Sequence, residues 1–217
     1  MYKLVRKFLF LFDAEEIHEL STKLIKLFNF IPFSSFLLRK CYLISDKSLE
    51  RELFGIKFKN PIGLAAGFDK NATLFNDFRN FGFGFIEIGT VTPLPQDGNP
   101  KKRIFRLSKD EALINRLGFN NSGVEKIKKN LNRKKNVIIG ANIGRNSFTS
   151  NEEAHFDYIK CYNELYPYVD YFAINISSPN TKGLRDLHNK DLLEPLIKKI
   201  TSLNYSKVNP KPILLKI

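Results

Sequence analysis

Polar side chains that could bind a ligand follow or end five predicted strands of this 217-residue sequence. Lys70 follows the first strand, Thr90 ends the second and Asn142 lies in the third. The fourth strand continues into the segment 175–181, and Lys216 lies in the fifth. Polar groups within apolar parallel strands are costly when they are unpaired. The carboxyl ends of such strands are where α/β proteins bind ligands, so the pattern predicts one binding site.

The residue types indicate a planar, polar and anionic heterocycle as the ligand. Ala65, Ala66 and Gly67 are small enough to let a flat molecule approach the backbone. Asparagine amides recognise both donors and acceptors on the edge of a ring. Any one of these residues alone could instead cap a loop, but five strand ends together favour a site.

Two glycine-rich segments fail as nucleotide motifs. The segment 81–85 precedes a strand, whereas a dinucleotide-binding loop must follow one. Gly118 and Gly123 have the spacing of a phosphate-binding loop, but Val124 and Glu125 replace its lysine and hydroxyl residue. We also expect no metal site, because the two cysteines are far apart and His18-Glu19 has Thr22 where a zinc protease has its second histidine.

Alternating strands and helices must position these residues. The predicted strands are 61–68, 83–91, 137–143, 171–177 and 212–217. The predicted helices include 124–131, 152–168 and 190–203, with Ala154, Tyr158, Cys161 or Tyr162, and Leu165 facing inward. Strands that are apolar throughout and separated by helices indicate a parallel α/β sheet buried on both faces. A doubly wound sheet and a (β/α)8 barrel both fit this pattern.

Residues 1–45 are predicted to be helical. Asp13 and Glu16 form a capping box ahead of an apolar face, which comprises Ile17, Leu20, Leu24, Leu27, Phe28 and Ile31. Cations alternate with bulky apolar residues in 2–12, which suits either a helix at a lipid interface or one packed on the body of the protein. The longest charge-free run, 27–38, contains Pro32 and is too short to span a membrane, and the early acidic residues exclude a signal peptide, so we expect a cytoplasmic location.

Four motifs together resemble dihydroorotate dehydrogenase of the quinone-dependent, membrane-associated class. They are 65–71 (AAGFDKN), 115–121 (NRLGFNN), 140–144 (GANIG) and 175–181 (NISSPNT). The resemblance runs in order along the whole chain and favours the barrel. It implies an N-terminal helical subdomain for membrane contact and quinone access in 1–45, and about the first half of an FMN-binding (β/α)8 TIM-type barrel in 46–217.

The resemblance also implies an activity: FMN-dependent oxidation of dihydroorotate to orotate in pyrimidine biosynthesis, with a membrane quinone as electron acceptor. Ser178 is then the base and Thr181 a relay residue. The implied substrate-binding residues are Lys70, Asn115, Arg116, Leu117, Gly118, Phe119, Asn175 and Asn180. The implied FMN-binding residues are Ala65, Ala66, Gly67, Thr90, Asn142, Asn175 and Lys216. The protein would lie peripherally on the cytoplasmic side of the membrane.

Two features leave alternatives open. The second half of the family's barrel has no counterpart here, so we expect a fragment or a truncated, non-catalytic chain that cannot hold FMN stably. Residues 101–135 carry twelve Lys and Arg against three carboxylates, and the whole chain has a net charge of +13, which could serve a nucleic-acid-binding or lipid-docked protein. Because no recognition module accompanies this charge, we favour a solvated surface and expect no nucleic-acid partner. Another FMN barrel acting on a pyrimidine is disfavoured, since Lys70 suits a substrate that bears a carboxylate.

Overall fold

The computed structural model describes residues 2–133 and 137–217. Its helices are α1 (Tyr2–Leu9), α2 (Ala14–Phe30), α3 (Ser34–Tyr42), α4 (Phe75–Phe78), α5 (Val124–Leu131), α6 (Ala154–Leu165) and α7 (Lys190–Tyr205). Its strands are β1 (Arg51–Leu53), β2 (Ile56–Phe58), β3 (Gly63–Leu64), β4 (Phe85–Val91), β5 (Ile104–Leu107), β6 (Ala112–Asn115), β7 (Ile138–Ile143), β8 (Tyr171–Asn175) and β9 (Ile213–Lys216). Met1 of the predicted helical segment and Lys134 and Lys135 of the cationic stretch lie outside the described residues.

Five strands form one parallel sheet in the order β3-β4-β7-β8-β9, which confirms the predicted α/β architecture. Each strand pairs with the next in the predicted sequence of strands. Their carboxyl ends therefore lie along one edge. Asn175 is level with Lys216 across β8 and β9, and Asn142 is level with Ala173 across β7 and β8.

The two faces of this sheet differ in burial. One face packs against the helices that follow the strands, and its side chains are almost inaccessible to solvent: Ile86, Ile88, Ile139, Ile143, Phe172 and Ile174. The predicted inward residues of α6 are all buried against it. Phe85, Glu87, Tyr171 and Leu214 alternate with the core residues along the strands and therefore belong to the opposite face.

The sequence reasoning missed two short antiparallel hairpins, β1–β2 and β5–β6. Their strands have only three or four residues each, which is too short for a clear pattern. Strands β1 and β6 are also exposed throughout, so these two strands lack the alternation that marks a half-buried strand. Asn115 is the last residue of β6. The first strand of the parallel sheet was also overestimated: 61–68 was predicted, and β3 contains only Gly63–Leu64.

Helices α2 and α3 pack on the body through a few buried residues. Asp13 caps α2 as predicted, accepting hydrogen bonds from the amides of Glu15 and Glu16. Glu15 and Leu38 are buried, and Ile25 packs on the core. The predicted apolar face of α2 is largely exposed, namely Leu20, Leu24, Leu27, Phe28 and Ile31. Among the described residues, the structure contains no helix with the length and hydropathy to cross a bilayer.

Candidate functional site

Two sets of hydrogen bonds hold the loop after β3, in which Gly67 is exposed to solvent. The amide of Gly67 donates to the carbonyl of Gly89 at 2.9 Å, which ties the loop to the end of β4. Asp69 is buried and accepts from the amides of Thr73 and Leu74 at 2.7 and 2.8 Å. A side chain on Gly67 would meet no atom within 4 Å, so the loop presents bare backbone beside the strand ends.

Thr90, Asn142 and Asn175 form a buried hydrogen-bond network across the ends of β4, β7 and β8. The hydroxyl of Thr90 donates to Oδ1 of Asn142 at 2.6 Å. Nδ2 of Asn175 donates to Oγ1 of Thr90 at 2.9 Å and to Oδ1 of Asn142 at 3.0 Å. The structure thus brings together three of the predicted FMN-binding residues, all less than 10% exposed.

A shift in strand pairing accompanies this network. The register between β4 and β7 changes between Ile88 and Val91, and Thr90 lies within that irregularity. Such bulges redirect a side chain that would otherwise follow the strand's alternation. Gly89 is required there, because a Cβ at its φ of 105° would lie 2.3 Å from the carbonyl oxygen of Asn142.

Lys70 lies at the same edge and contacts the segment 115–121. Its Nζ donates to Oδ1 of Asn120 at 2.6 Å. Burial, together with the positive charge of Arg103, lowers the pKa of Lys70 to about 8, while the carboxylate of Glu15 opposes the shift. In the part of the chain that the structure describes, this mostly buried ammonium group has no direct carboxylate contact, so it is suited to receive an anionic ligand.

Of the other predicted substrate residues, Asn115 and Asn180 contact each other, and Phe119 lies near the end of β7. Nδ2 of Asn180 donates to the backbone oxygen of Asn115 at 3.2 Å and to its Oδ1 at 3.4 Å, so these two amides meet. The ring of Phe119 lies close to the end of β7, since a Cβ on Gly144 would be 3.0 Å from its Cε2 and 2.8 Å from Cγ2 of Thr90.

Arg116, Leu117 and Gly118 are held by hydrogen bonds to backbone carbonyls. The guanidinium of Arg116 donates to the carbonyl of Lys102 at 2.9 and 3.2 Å, along the β5–β6 hairpin. The carbonyl of Leu117 accepts from the amide of Asn99 at 3.1 Å, and that of Gly118 from the side chain of Gln96 at 3.0 Å.

The two predicted catalytic hydroxyls lie on the loop after β8. Ser178 is half-buried, and its Oγ accepts from the amide of Asn180 at 3.3 Å. Oγ1 of Thr181 is buried and has no hydrogen-bond partner among residues 2–133 and 137–217. Lys216, the predicted cofactor-binding lysine, is exposed at the end of β9, and its carbonyl accepts from the amide of Ile176 at 3.3 Å.

Sequence reasoning missed four residues that hold this arrangement together. Asn120 pairs with Lys70, and Asn99 donates to the carbonyl of Asn180 at 3.2 Å. Asn121 donates to the carbonyl of Phe119 at 2.8 Å. Glu87 accepts from Nδ2 of Asn142 at 2.9 Å. Glu87 carried a sequence signal as a carboxylate within an otherwise apolar strand, and Asn120 and Asn121 lie in the motif 115–121, although no role was assigned to them. The role of Asn99 depends on a contact with a residue 81 positions away.

The cationic stretch does not form one free surface. Arg103 is buried in an ion pair with Glu15, and Arg106 donates to the carbonyl of Phe12 at 2.7 Å. Lys128 pairs with Glu125 and Glu164. These cations are used in contacts within the chain, which weakens the case for a nucleic-acid-binding face.

Comparisons with known proteins agree on one family. The family profile for dihydroorotate dehydrogenase matches residues 48–217. The chain is 53% identical to a protein of Christiangramia forsetii named dihydroorotate dehydrogenase (quinone), matching 100% of this chain and 64% of that protein. A Roseiflexus protein of the same name is 47% identical and is covered to 61% of its length. The chain therefore spans somewhat less than two thirds of these curated relatives.

Two solved structures have the same fold. The crystal structure of DHODH from Eimeria tenella in complex with ferulenol matches 92% of this chain and 58% of that chain, with a TM-score of 0.75 and 36% identity. The ligand-free form from the same organism matches 87% and 54%, with a TM-score of 0.73 and 39% identity. The five parallel strands are accordingly part of a (β/α)8 barrel.

Proposed function

We propose, since the chain belongs to the dihydroorotate dehydrogenase family, that it contributes the strand-end site at which dihydroorotate is oxidised to orotate with FMN and a membrane quinone. The observation that carries this proposal is the buried network of Thr90, Asn142 and Asn175. These side chains come from three separate strands and converge at one edge of the sheet. Oxidation of dihydroorotate is a step of pyrimidine biosynthesis, which is the pathway we assign to it.

The residues at this edge fit FMN. Ala65, Ala66 and Gly67 leave backbone accessible to a flat ring system. The network offers hydroxyl and amide groups to the polar edge of a flavin, and Lys216, level with Asn175, supplies a cation beside it. When bound, FMN supplies a two-electron acceptor for the hydride of the substrate.

The substrate's carboxylate and ring are bound by a second group. Lys70 provides the charge for the carboxylate, and the paired amides of Asn115 and Asn180 provide donors and acceptors for the ring. The ring of Phe119 lies close to the end of β7, where it excludes water from the reacting atoms. The backbone of 116–118 holds that segment in place.

Ser178 removes the proton from C5 of dihydroorotate. A serine hydroxyl is a weak base, so it must pass its own proton onward. Thr181 is three residues away, and its buried hydroxyl has no hydrogen-bond partner among the described residues. As a relay group it accepts that proton on Oγ1 and releases its own proton to water. The exposed apolar residues of α1 to α3 suit peripheral contact with the cytoplasmic side of the cell membrane and access for the quinone.

The test is anaerobic mixing of dihydroorotate with the whole encoded protein after reconstitution with FMN. Stoichiometric bleaching of the flavin absorbance is expected, with reoxidation by added quinone. Thr90→Val should lower the FMN content, because it leaves Asn142 and Asn175 each short of a partner. Thr201→Val is the matched control, since that hydroxyl donates to carbonyls within its own helix, α7. Absence of bleaching in flavin-loaded protein would refute the proposal.

A further inference from the structure

We propose that Glu15 and Arg103 are positioning residues that couple the docking of helix α2 to the geometry of the substrate-binding segments. Glu15 lies in the first turn of α2, and Arg103 immediately precedes β5. Nε and Nη2 of Arg103 donate to the two carboxylate oxygens of Glu15 at 3.0 and 2.6 Å. The two side chains are 7% and 12% exposed, so the pair is shielded from solvent.

The same guanidinium also holds a turn of the barrel. Nη1 of Arg103 donates to the carbonyls of Asp97 and Asn99 at 2.6 and 2.8 Å. The turn is tightly packed, because a Cβ on Gly98 would lie 2.2 Å from the carbonyl oxygen of Leu117. One buried side chain therefore connects α2 to residues 97–99. Bidentate pairing fixes the plane of the guanidinium and hence the direction of its remaining donors.

Residues 97–99 also contact the proposed substrate-binding residues. Nδ2 of Asn99 donates to the carbonyls of Arg116 and Asn180 at 2.9 and 3.2 Å. The carbonyl of Arg103 itself accepts from the amide of Arg116 at 2.8 Å. Arg116 is joined to Asn115 by a peptide bond, and Asn180 contacts Asn115. A continuous series of hydrogen bonds and peptide bonds therefore connects Glu15 to the paired amides of Asn115 and Asn180.

The pair also acts on Lys70 electrostatically. The charged groups that influence the pKa of Lys70 are Arg103, which lowers it, and Glu15, which raises it. The pKa of His18 on α2 is lowered by burial and by the charge of Lys70, so this imidazole is a third titratable group close to Lys70. Displacing α2 would therefore change both the charge balance at Lys70 and the position of the 97–99 turn.

The experiment measures orotate affinity in the FMN-loaded, whole encoded protein. Glu15→Gln should raise the Kd for orotate about tenfold, the effect of one lost charge-assisted contact, with FMN content unchanged. Its affinity should also begin to fall at a lower pH than in the parent protein, because the group that supports protonation of Lys70 has lost its charge. A purely structural role would weaken binding equally at every pH.

Asn99→Ala is the second variant, since it breaks the link to Asn180 and leaves the buried ion pair intact. It should raise the Kd about fivefold, by loss of one or two hydrogen bonds. Glu111→Gln is the control, because Glu111 forms an exposed ion pair with Arg6 that joins helix α1 to the β5–β6 hairpin. This variant should stay within about twofold of the parent, as surface pairs contribute little.

This inference rests on the proposed function, because orotate is its probe, so a second measurement uses no ligand. Hydrogen–deuterium exchange should rise at 97–99 and 115–118 in Glu15→Gln and not in Glu111→Gln. If Glu15→Gln and Asn99→Ala leave both the Kd and the exchange unchanged, the coupling is refuted. If the parent protein fails to bind orotate, the proposed function fails, and the exchange result alone decides the coupling.

Discussion

Nδ2 of Asn142 donates to Oε1 of Glu87 at 2.9 Å, and this contact determines which way the Asn142 amide faces. With its donor directed at Glu87, the amide presents Oδ1 to Thr90 and Asn175. The second carboxylate oxygen of Glu87 accepts from the hydroxyl of Tyr171 at 3.1 Å. The carboxylate of Glu87, on the same face of the sheet, thus holds the strand-end network in place.

Replacing Glu87 with leucine should disorder the network. The substitution leaves Nδ2 of Asn142 and the Tyr171 hydroxyl without acceptors, at about 1–3 kcal/mol for each buried unsatisfied group. We expect a matching loss in the free energy of unfolding and a reduced FMN content. Urea unfolding and flavin absorbance measure the two effects.

Glu87→Gln is the informative comparison. Its side-chain oxygen can still accept from Asn142, and the Tyr171 hydroxyl can accept from the new amide instead of donating. The unfolding free energy should therefore change by less than about 1 kcal/mol. If leucine were tolerated as well as glutamine, Glu87 would have no role in orienting Asn142.

The residues that end strands could be located from the sequence because they interrupt apolar runs. Thr90, Asn142 and Asn175 each stand in a segment whose neighbours are buried, so their positions at one edge followed from the parallel order of the strands. The partners Asn99 and Asn120 could not be found in this way. They lie in irregular segments, and their roles depend on contacts with residues 81 and 50 positions away.

For the N-terminal helical segment, too, the sequence did not reveal contacts between residues that are far apart in the chain. Its capping residue and apolar face were predicted, but periodicity alone could not tell whether that face packs on the barrel. The docking side of α2 instead uses Glu15, His18 and Ile25, which are spaced as a helical face but only one of which is strongly apolar. A buried ion pair with Arg103, 88 residues away, has no local signature.

Binding of orotate should weaken as the pH rises through about 8. The pKa of Lys70 is lowered to about 8, and only the protonated form attracts the carboxylate. The measurement is the Kd for orotate between about pH 6 and 10, a range that brackets the titration. In Lys70→Arg, whose guanidinium stays charged, the loss of affinity above pH 8 should disappear even if the overall affinity is lower. A parent profile that is flat to pH 10 would contradict the role of Lys70.

Lys70→Met should stabilise the fold at neutral pH. Because the folded pKa lies below the ordinary value of 10.5, burial penalises the charged form. That penalty applies in full below pH 8 and is relieved between about 8 and 10.5, where the unfolded chain holds a proton that the folded chain has lost. Allowing for the lost contact with Asn120, the expected gain at pH 7 is about 1–2 kcal/mol by urea unfolding. The gain should shrink toward pH 10, and a loss of stability at pH 7 would contradict this assignment.

The exposed face of α2 should bind lipid. Leu24 and Leu27 are 55% and 65% exposed, so Leu24→Glu and Leu27→Glu can be introduced with little effect on packing. Each charge placed at a membrane interface opposes insertion of the apolar face. Sedimentation with anionic vesicles should show at least about a fivefold loss of binding in the double variant. Val208→Glu, at a position 95% exposed on the barrel, is the control and should bind as the parent does.

Ser178→Ala should separate proton removal from substrate binding. The hydroxyl of Ser178 accepts a long hydrogen bond from the amide of Asn180 at 3.3 Å, so its loss disturbs the loop little. Loss of a general base typically slows a reaction about 100- to 10,000-fold. We expect flavin reduction by dihydroorotate, followed by stopped-flow absorbance, to fall within that range while the Kd for orotate stays within about twofold of the parent. Ser206→Ala, an exposed hydroxyl bonded to the carbonyl of Leu203, should leave both quantities unchanged. Reduction at the parent rate in Ser178→Ala would assign the proton transfer to a different group. Thr181, whose buried hydroxyl has no partner within 2–133 and 137–217, would be the next residue to substitute.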